Sequence, residues 1–144
     1  MPLTRRSFLA TSLATAAGAA LPRAVHAAPL KVLVIGGTGF LGPHTVRRLT
    51  ERGHTVTLFN RGRTNPGLFP DIEQLRGDRK TDLTALHGRK WDVVIDPSAY
   101  IPADVTRSAT LLAPNVGHYL LISTISVYAA LDTPGLDERA PLAT

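Results

Sequence analysis

The 144-residue chain contains no cysteine. That excludes a disulfide framework, a thiolate nucleophile and any cysteine-ligated metal. Aromatic residues make up 6% of the chain, with one tryptophan, too few for an extended surface on which nucleic-acid bases stack. Lysine occurs three times, at Lys31, Lys80 and Lys90, so most of the positive charge is arginine. No apolar run reaches the ~18 residues of a membrane span. No stable membrane anchor and no metal site are therefore expected. What is there, 44% hydrophobic and 19% charged residues, is ordinary for a soluble globular protein of one domain.

The net charge is +5, but it is not evenly spread. Arg5, Arg6 and Arg23 fall in the first 27 residues, which hold no acid, and the remainder carries only +2. A nucleic-acid partner is not expected on that balance. The leader has a charged start, Thr4-Arg5-Arg6-Ser7-Phe8-Leu9, then an uncharged alanine-rich stretch from Ser7 to Leu21, then Val25-His26-Ala27 in the pattern of a cleavage site. It resembles a twin-arginine export signal: Thr4, Arg5, Arg6, Phe8 and Leu9 match, and Ala10 stands where lysine is frequent. The alternative is an ordinary secretory signal that happens to carry two arginines. The resemblance implies the twin-arginine export machinery as a partner and a periplasmic or other extracytoplasmic destination. Residues 1–27 are read as the signal and 28–144 as one domain.

Along that domain, Leu30 to Ile35 reads as a strand buried on both faces, as in a parallel sheet. A helix is expected from about Phe40 to Arg52, stopped by Gly53. His54 to Phe59 is a second strand, Arg61 to Pro70 a Gly/Pro-rich loop, and Ile72 to Leu75 a weaker third strand. Thr81 to His87 is expected to form a short helix. Trp91 to Asp96 is a fourth strand, Ala103 to Leu112 a helix, and His118 to Ser123 a fifth strand. Strands alternating with helices build an α/β, Rossmann-type doubly wound parallel sheet.

The strongest chemical signal is Gly36-Gly37-Thr38-Gly39-Phe40-Leu41-Gly42, which follows a strand and opens a helix. Glycines permit the tight turn and let the backbone approach a pyrophosphate. The helix N-terminus adds unpaired N–H groups and a partial positive charge. The whole turn is thus a candidate dinucleotide site. An acid at the end of the second strand would favour NAD. Here Asn60 stands there, followed by Arg61 and Arg63. No carboxylate repels a 2′-phosphate and a guanidinium can pair with one, so NADP is favoured over NAD.

In combination with Gly77-Asp78-Arg79, Asp92 to Tyr100 and Ser123-Thr124-Ile125-Ser126-Val127-Tyr128, the turn is similar to the short-chain dehydrogenase/reductase superfamily, in its extended or atypical branch. These are NAD(P)-dependent epimerases, dehydratases and reductases acting largely on nucleotide sugars. The resemblance implies that Asp78 accepts a hydrogen bond from the adenine amino group, with Arg79 beside it. It implies that Asp96-Pro97-Ser98-Ala99-Tyr100 lines the cofactor's ribose and phosphates through backbone groups, so Pro97 and Ser98 join the site. Tyr100 reads equally as a packing residue. Thr124, four residues before Tyr128, takes the place of the family's catalytic Ser or Thr, with Ser123 and Ser126 as neighbouring candidates; Tyr128 is not the acid/base tyrosine.

The family's Tyr-x-x-x-Lys pair, which performs proton transfer, is absent: Asp104, Ser123 and Asp132 stand four residues after the three tyrosines. The expectation is an N-terminal cofactor-binding portion, with the C-terminal part missing, silent in catalysis and with the fifth strand as an open edge. The alternative is a non-catalytic nucleotide-binding module or sensor.

Overall fold

The computed structural model describes residues 28–143, so the leader lies outside the described residues. Five strands form one parallel sheet: β1 (Lys31–Ile35), β2 (Thr55–Asn60), β3 (Glu73–Arg76), β4 (Trp91–Asp96) and β5 (Val116–Leu121). Helix α1 (Gly42–Glu51) connects β1 to β2 and α2 (Pro102–Leu112) connects β4 to β5. The strand order is β3-β2-β1-β4-β5. The chain therefore winds outward in one direction from β1, returns, and winds outward in the other. Between β1 and β4 the winding reverses, and it is at the carboxyl ends of such strands that this fold class binds ligands. This is a Rossmann-type fold.

The central strands β1 and β2 are covered on both faces, which explains their near-continuous apolar runs, whereas much of β5 is exposed. Successive side chains of β1 point to opposite faces. Val32 and Val34 join Val46, Val56 and Leu58 in one cluster. Leu33 and Ile35 join Phe59, Leu86, Trp91, Val94 and Leu112 in the other. Each such fully buried side chain contributes roughly 1.5–3 kcal/mol. Among the described residues no helix is long and apolar enough to cross a membrane.

Most boundaries shift by one residue from the sequence expectation, and three larger differences have a local reason. Helix α1 starts at Gly42, not Phe40, because Phe40 takes a left-handed φ of 31° that no helix accommodates. Gly42 N–H instead closes the turn on the Gly39 carbonyl at 2.8 Å. The helix expected over Thr81–His87 is a single 3₁₀ turn, Thr84–Leu86. Strand β5 runs two residues earlier than expected because its register is set by β4, from Trp91 opposite Val116 to Asp96 opposite Leu121. In the described sheet β5 and β3 are the two edges.

Candidate functional site

The glycines of the turn do different jobs. Gly36 and Gly37 have φ of 105° and 83°, conformations that side chains rarely adopt. A Cβ on Gly42 would lie 2.5 Å from the backbone carbon of Gly37, so helix and turn are in direct contact there. Gly39 is the reverse case: its nearest neighbour would be Thr64 Cγ2 at 3.9 Å. The backbone at Gly39 thus faces open space, the cradle that a pyrophosphate needs and a larger side chain would fill. Among the described residues no acceptor engages the N–H groups of Thr38, Gly39, Phe40 or Leu41. The donors and the space fit a dinucleotide. Thr38 is buried and its carbonyl accepts from Asn65 Nδ2 at 3.0 Å, tying the following loop to the turn.

Gly36, Thr38 and Gly39 border a cleft of about 330 Å³ at the carboxyl ends of the strands. Asn60, Arg61, Arg63, Asp78, Arg79 and Ser98 also line it. Asn60 is committed to shaping its turn: Oδ1 accepts from Gly62 N–H at 2.8 Å and from the Arg76 guanidinium. That turn presents Arg61 and Arg63, both exposed and neither within ion-pair distance of a carboxylate among the described residues. Lys80 on the cleft wall and Arg76, opposite Asn60 in the β2–β3 register, add positive charge nearby. Asp78 Oδ1 accepts from Lys80 N–H at 2.9 Å, leaving Oδ2 without a hydrogen bond among the described residues.

Beneath the cleft lies a buried polar network. Arg79 Nη1 and Nη2 donate to Asp96 Oδ1 and Oδ2 at 2.8 and 2.6 Å, a bidentate pair. The Tyr119 hydroxyl donates to Asp96 Oδ2 at 2.7 Å. Burial alone would raise the Asp96 carboxyl, but the hydrogen bonds from Arg79 and Tyr119 outweigh it and hold the group below its ordinary range. Burial and the Asp96 charge push the Tyr119 phenol up to about 12. The guanidinium of Arg79 is turned inward, so what it offers the cleft is support from below.

Residues 32–143 match the NAD dependent epimerase/dehydratase family, and residues 2–22 match the TAT (twin-arginine translocation) pathway signal sequence. The chain belongs to the NAD dependent epimerase/dehydratase family. It is 35% identical over 127 residues to the chloroplast stem-loop binding protein of 41 kDa b of Arabidopsis thaliana, a match covering 76% of this chain and 33% of that protein. Among solved structures it is similar to the UDP-Glc/GlcNAc 4-epimerase of Campylobacter jejuni, with a TM-score of 0.69 at 21% identity over 78% of this chain and 43% of that one. The Bordetella bronchiseptica enzyme WbmG in complex with NAD gives a TM-score of 0.67 at 17% identity over 85% and 46%. The chain thus spans about a third of that curated relative and under half of the two enzymes. Its leader is a twin-arginine signal, which marks the chain for export across the cytoplasmic membrane.

In this member of the epimerase/dehydratase family the remaining candidates are not all at the cleft. Gly37 and Gly42 are buried under the turn, and Phe40 and Leu41 are exposed on its outer side. Pro97 is half-buried beside Ser98. Tyr100 is 93% exposed at the rim of the cleft and belongs to neither core cluster. Thr124 is exposed and lies outside the lining of the cleft. Its Oγ1 accepts from Ser126 N–H at 3.2 Å, capping the 3₁₀ turn Ile125–Val127. Arg76, Lys80, Asp104 and Tyr119 were not singled out from the sequence. Only Asp104, an acid two residues after a helix-starting proline, carried a local signal.

Proposed function

We propose that this chain is the dinucleotide-binding portion of an exported enzyme of the extended short-chain dehydrogenase/reductase type. It takes NADP in preference to NAD and acts on a nucleotide sugar or a related carbonyl or alcohol substrate. The observation that carries this reading is the open backbone at Gly39, at the point where the sheet's winding reverses. The N–H groups of Thr38 to Leu41 bind the pyrophosphate, and Asp78 Oδ2 accepts from the adenine amino group. Pro97 and Ser98 border the ribose. The bound nicotinamide supplies a hydride acceptor or donor. The Thr124 hydroxyl hydrogen-bonds the substrate's reacting oxygen and steadies charge that develops on it. The sugar-nucleotide epimerase named among the structural neighbours supports the substrate class.

The cofactor preference rests on Arg61 and Arg63. Loss of one charge-assisted contact to a phosphate costs about 1.5–3 kcal/mol. Arg61→Ala is therefore expected to weaken NADP about tenfold or more and NAD little, as read by titration of both cofactors. Equal losses for the two would overturn the preference.

Export to the periplasm or another extracytoplasmic compartment rests on Arg5 and Arg6. A reporter fused behind residues 1–30 is expected to leave the cytoplasm, and the Arg5→Lys/Arg6→Lys double variant to be retained. Unchanged export of the double variant, or of the reporter in cells lacking the twin-arginine translocase, would show that another route handles the chain.

A further inference from the structure

We infer that the buried Arg79–Asp96 pair, with Tyr119, Ser108 and Ser98, is a positioning strut for the cleft, on which dinucleotide affinity depends without its charged groups touching the ligand. This rests on the dinucleotide-binding reading above.

Arg79 is the third residue of the loop that leaves β3, immediately after Asp78. That strand is four residues long and lies at the sheet edge, so hydrogen bonds of the ladder do little to fix the loop beyond it. Side chains do it instead. Besides its bidentate pair with Asp96, Arg79 Nη2 donates to the Ser108 hydroxyl at 3.0 Å and the Asp104 carbonyl at 3.2 Å, both on α2. Arg107 Nη1 reaches back from the same helix to the Arg79 carbonyl at 3.3 Å. The loop carrying Asp78 is thereby fastened to β4 and α2.

The other end of the network holds Ser98, a second lining residue of the cleft. Asp96 Oδ1 accepts from Ser98 N–H at 3.2 Å, and Ser98 Oγ donates to the Ile35 carbonyl at 2.9 Å, one residue before the glycine turn. Tyr119 ties the same carboxylate to β5 and shares a 2.9 Å hydrogen bond with Ser108. Arg79, Ser98 and Tyr119 thus converge on one carboxylate beneath the cleft, and α2 and β1 are tied to it through Arg79 and Ser98. The Asp96 side chain is fully buried and that of Arg79 is 10% exposed. A buried ion pair is poor value for stability alone, since apolar replacements of similar volume are often as stable. What such replacements cannot reproduce is the direction of each hydrogen bond, which here sets where Asp78 and Ser98 stand.

The Arg79→Met/Asp96→Leu double variant separates positioning from stability. In the full chain it is expected to melt cooperatively within a few degrees of the unsubstituted protein. Its dinucleotide affinity is expected to fall about tenfold or more, because the loops must then be ordered at the moment of binding. Hydrogen exchange supplies a readout that needs no ligand. The amides of Lys80, Thr81 and Asp82 all bond to Asp78 and are expected to exchange about tenfold faster. The amide of Thr55, bonded to the Leu30 carbonyl at the opposite end of the sheet, is expected to be unchanged.

A stable double variant with unaltered affinity and exchange would overturn the strut. If the double variant does not fold, Tyr119→Phe removes one hydroxyl only; faster exchange at Lys80 supports the strut and unaltered exchange overturns it. An unsubstituted chain that binds neither NADP nor NAD would sink the dinucleotide reading and with it the affinity part of the proposal, while accelerated exchange in its variant would still show that the network holds the Asp78 loop.

Discussion

Replacing Gly39 by valine is expected to weaken dinucleotide binding on the order of a hundredfold, with the melting temperature close to that of the unsubstituted chain. The expectation comes from an asymmetry inside the glycine turn. At Gly39 the φ is not in the left-handed region, and a Cβ meets nothing closer than 3.9 Å. A branched side chain therefore costs the free protein little. It occupies the space above N–H groups that have no acceptor among the described residues. Loss of one or two charge-assisted hydrogen bonds at about 1.5–3 kcal/mol each corresponds to about a tenfold loss or much more. Gly42 is the control. A Cβ there would sit 2.5 Å from backbone, so Gly42→Val should lower the melting temperature before binding is tested. Calorimetric titration and thermal melting of both variants check the contrast. Full NADP and NAD affinity in a folded Gly39→Val protein would remove the phosphate-binding role from the turn.

The second large effect is on stability. Asp96→Ala is expected to cost about 3–5 kcal/mol, because removing one partner leaves the Arg79 guanidinium buried without its counter-charge. For a domain with a typical total stability of about 5–15 kcal/mol, that is enough to bring unfolding near ordinary temperatures. The same carboxylate predicts an acid limit. Its folded value lies below its unfolded one, since the bonds from Arg79 and Tyr119 outweigh burial. Its contribution is therefore complete above the ordinary carboxylate range and is lost as the pH falls through the folded value. Tyr119 acts at the other extreme. Its phenol is raised to about 12, so its contribution is complete below its unfolded value of about 10 and is lost as the pH rises toward 12. Denaturant unfolding of the unsubstituted and Asp96→Ala proteins across pH reads both. A variant within 1 kcal/mol of its parent, or with the same acid limit, would mean that the pair contributes nothing net.

Much of this protein is legible without coordinates because the relevant forces are local. Apolar runs such as Leu30 to Ile35 and Trp91 to Asp96 mark strands covered on both faces, and the glycine spacing from Gly36 to Gly42 marks a backbone that must bend sharply at a helix start. The alternation of strands and helices then leaves a doubly wound sheet as the economical arrangement. The boundaries were less legible where one element borrows its limits from another, as β5 does from β4.

The side chains at the cleft divide in the same way. Arg61 and Arg63 could be read as free cations from their place after a strand, since nothing in a short exposed turn competes for them. Arg79, at a similar place in the loop after β3, lines the cleft beside Asp78, but the pairing of its guanidinium with Asp96, 17 residues further on, is not legible in the sequence. Ser98 is held by the Ile35 carbonyl 63 residues away, and Tyr119 by Asp96 at a separation of 23. Local composition determined the elements, the glycine turn and the excess of cations beside it. Which polar groups were drawn under the cleft was decided only when crossover connections brought distant strand ends together. A buried charge must find its partner wherever the chain places one, and sequence neighbours carry no record of that choice.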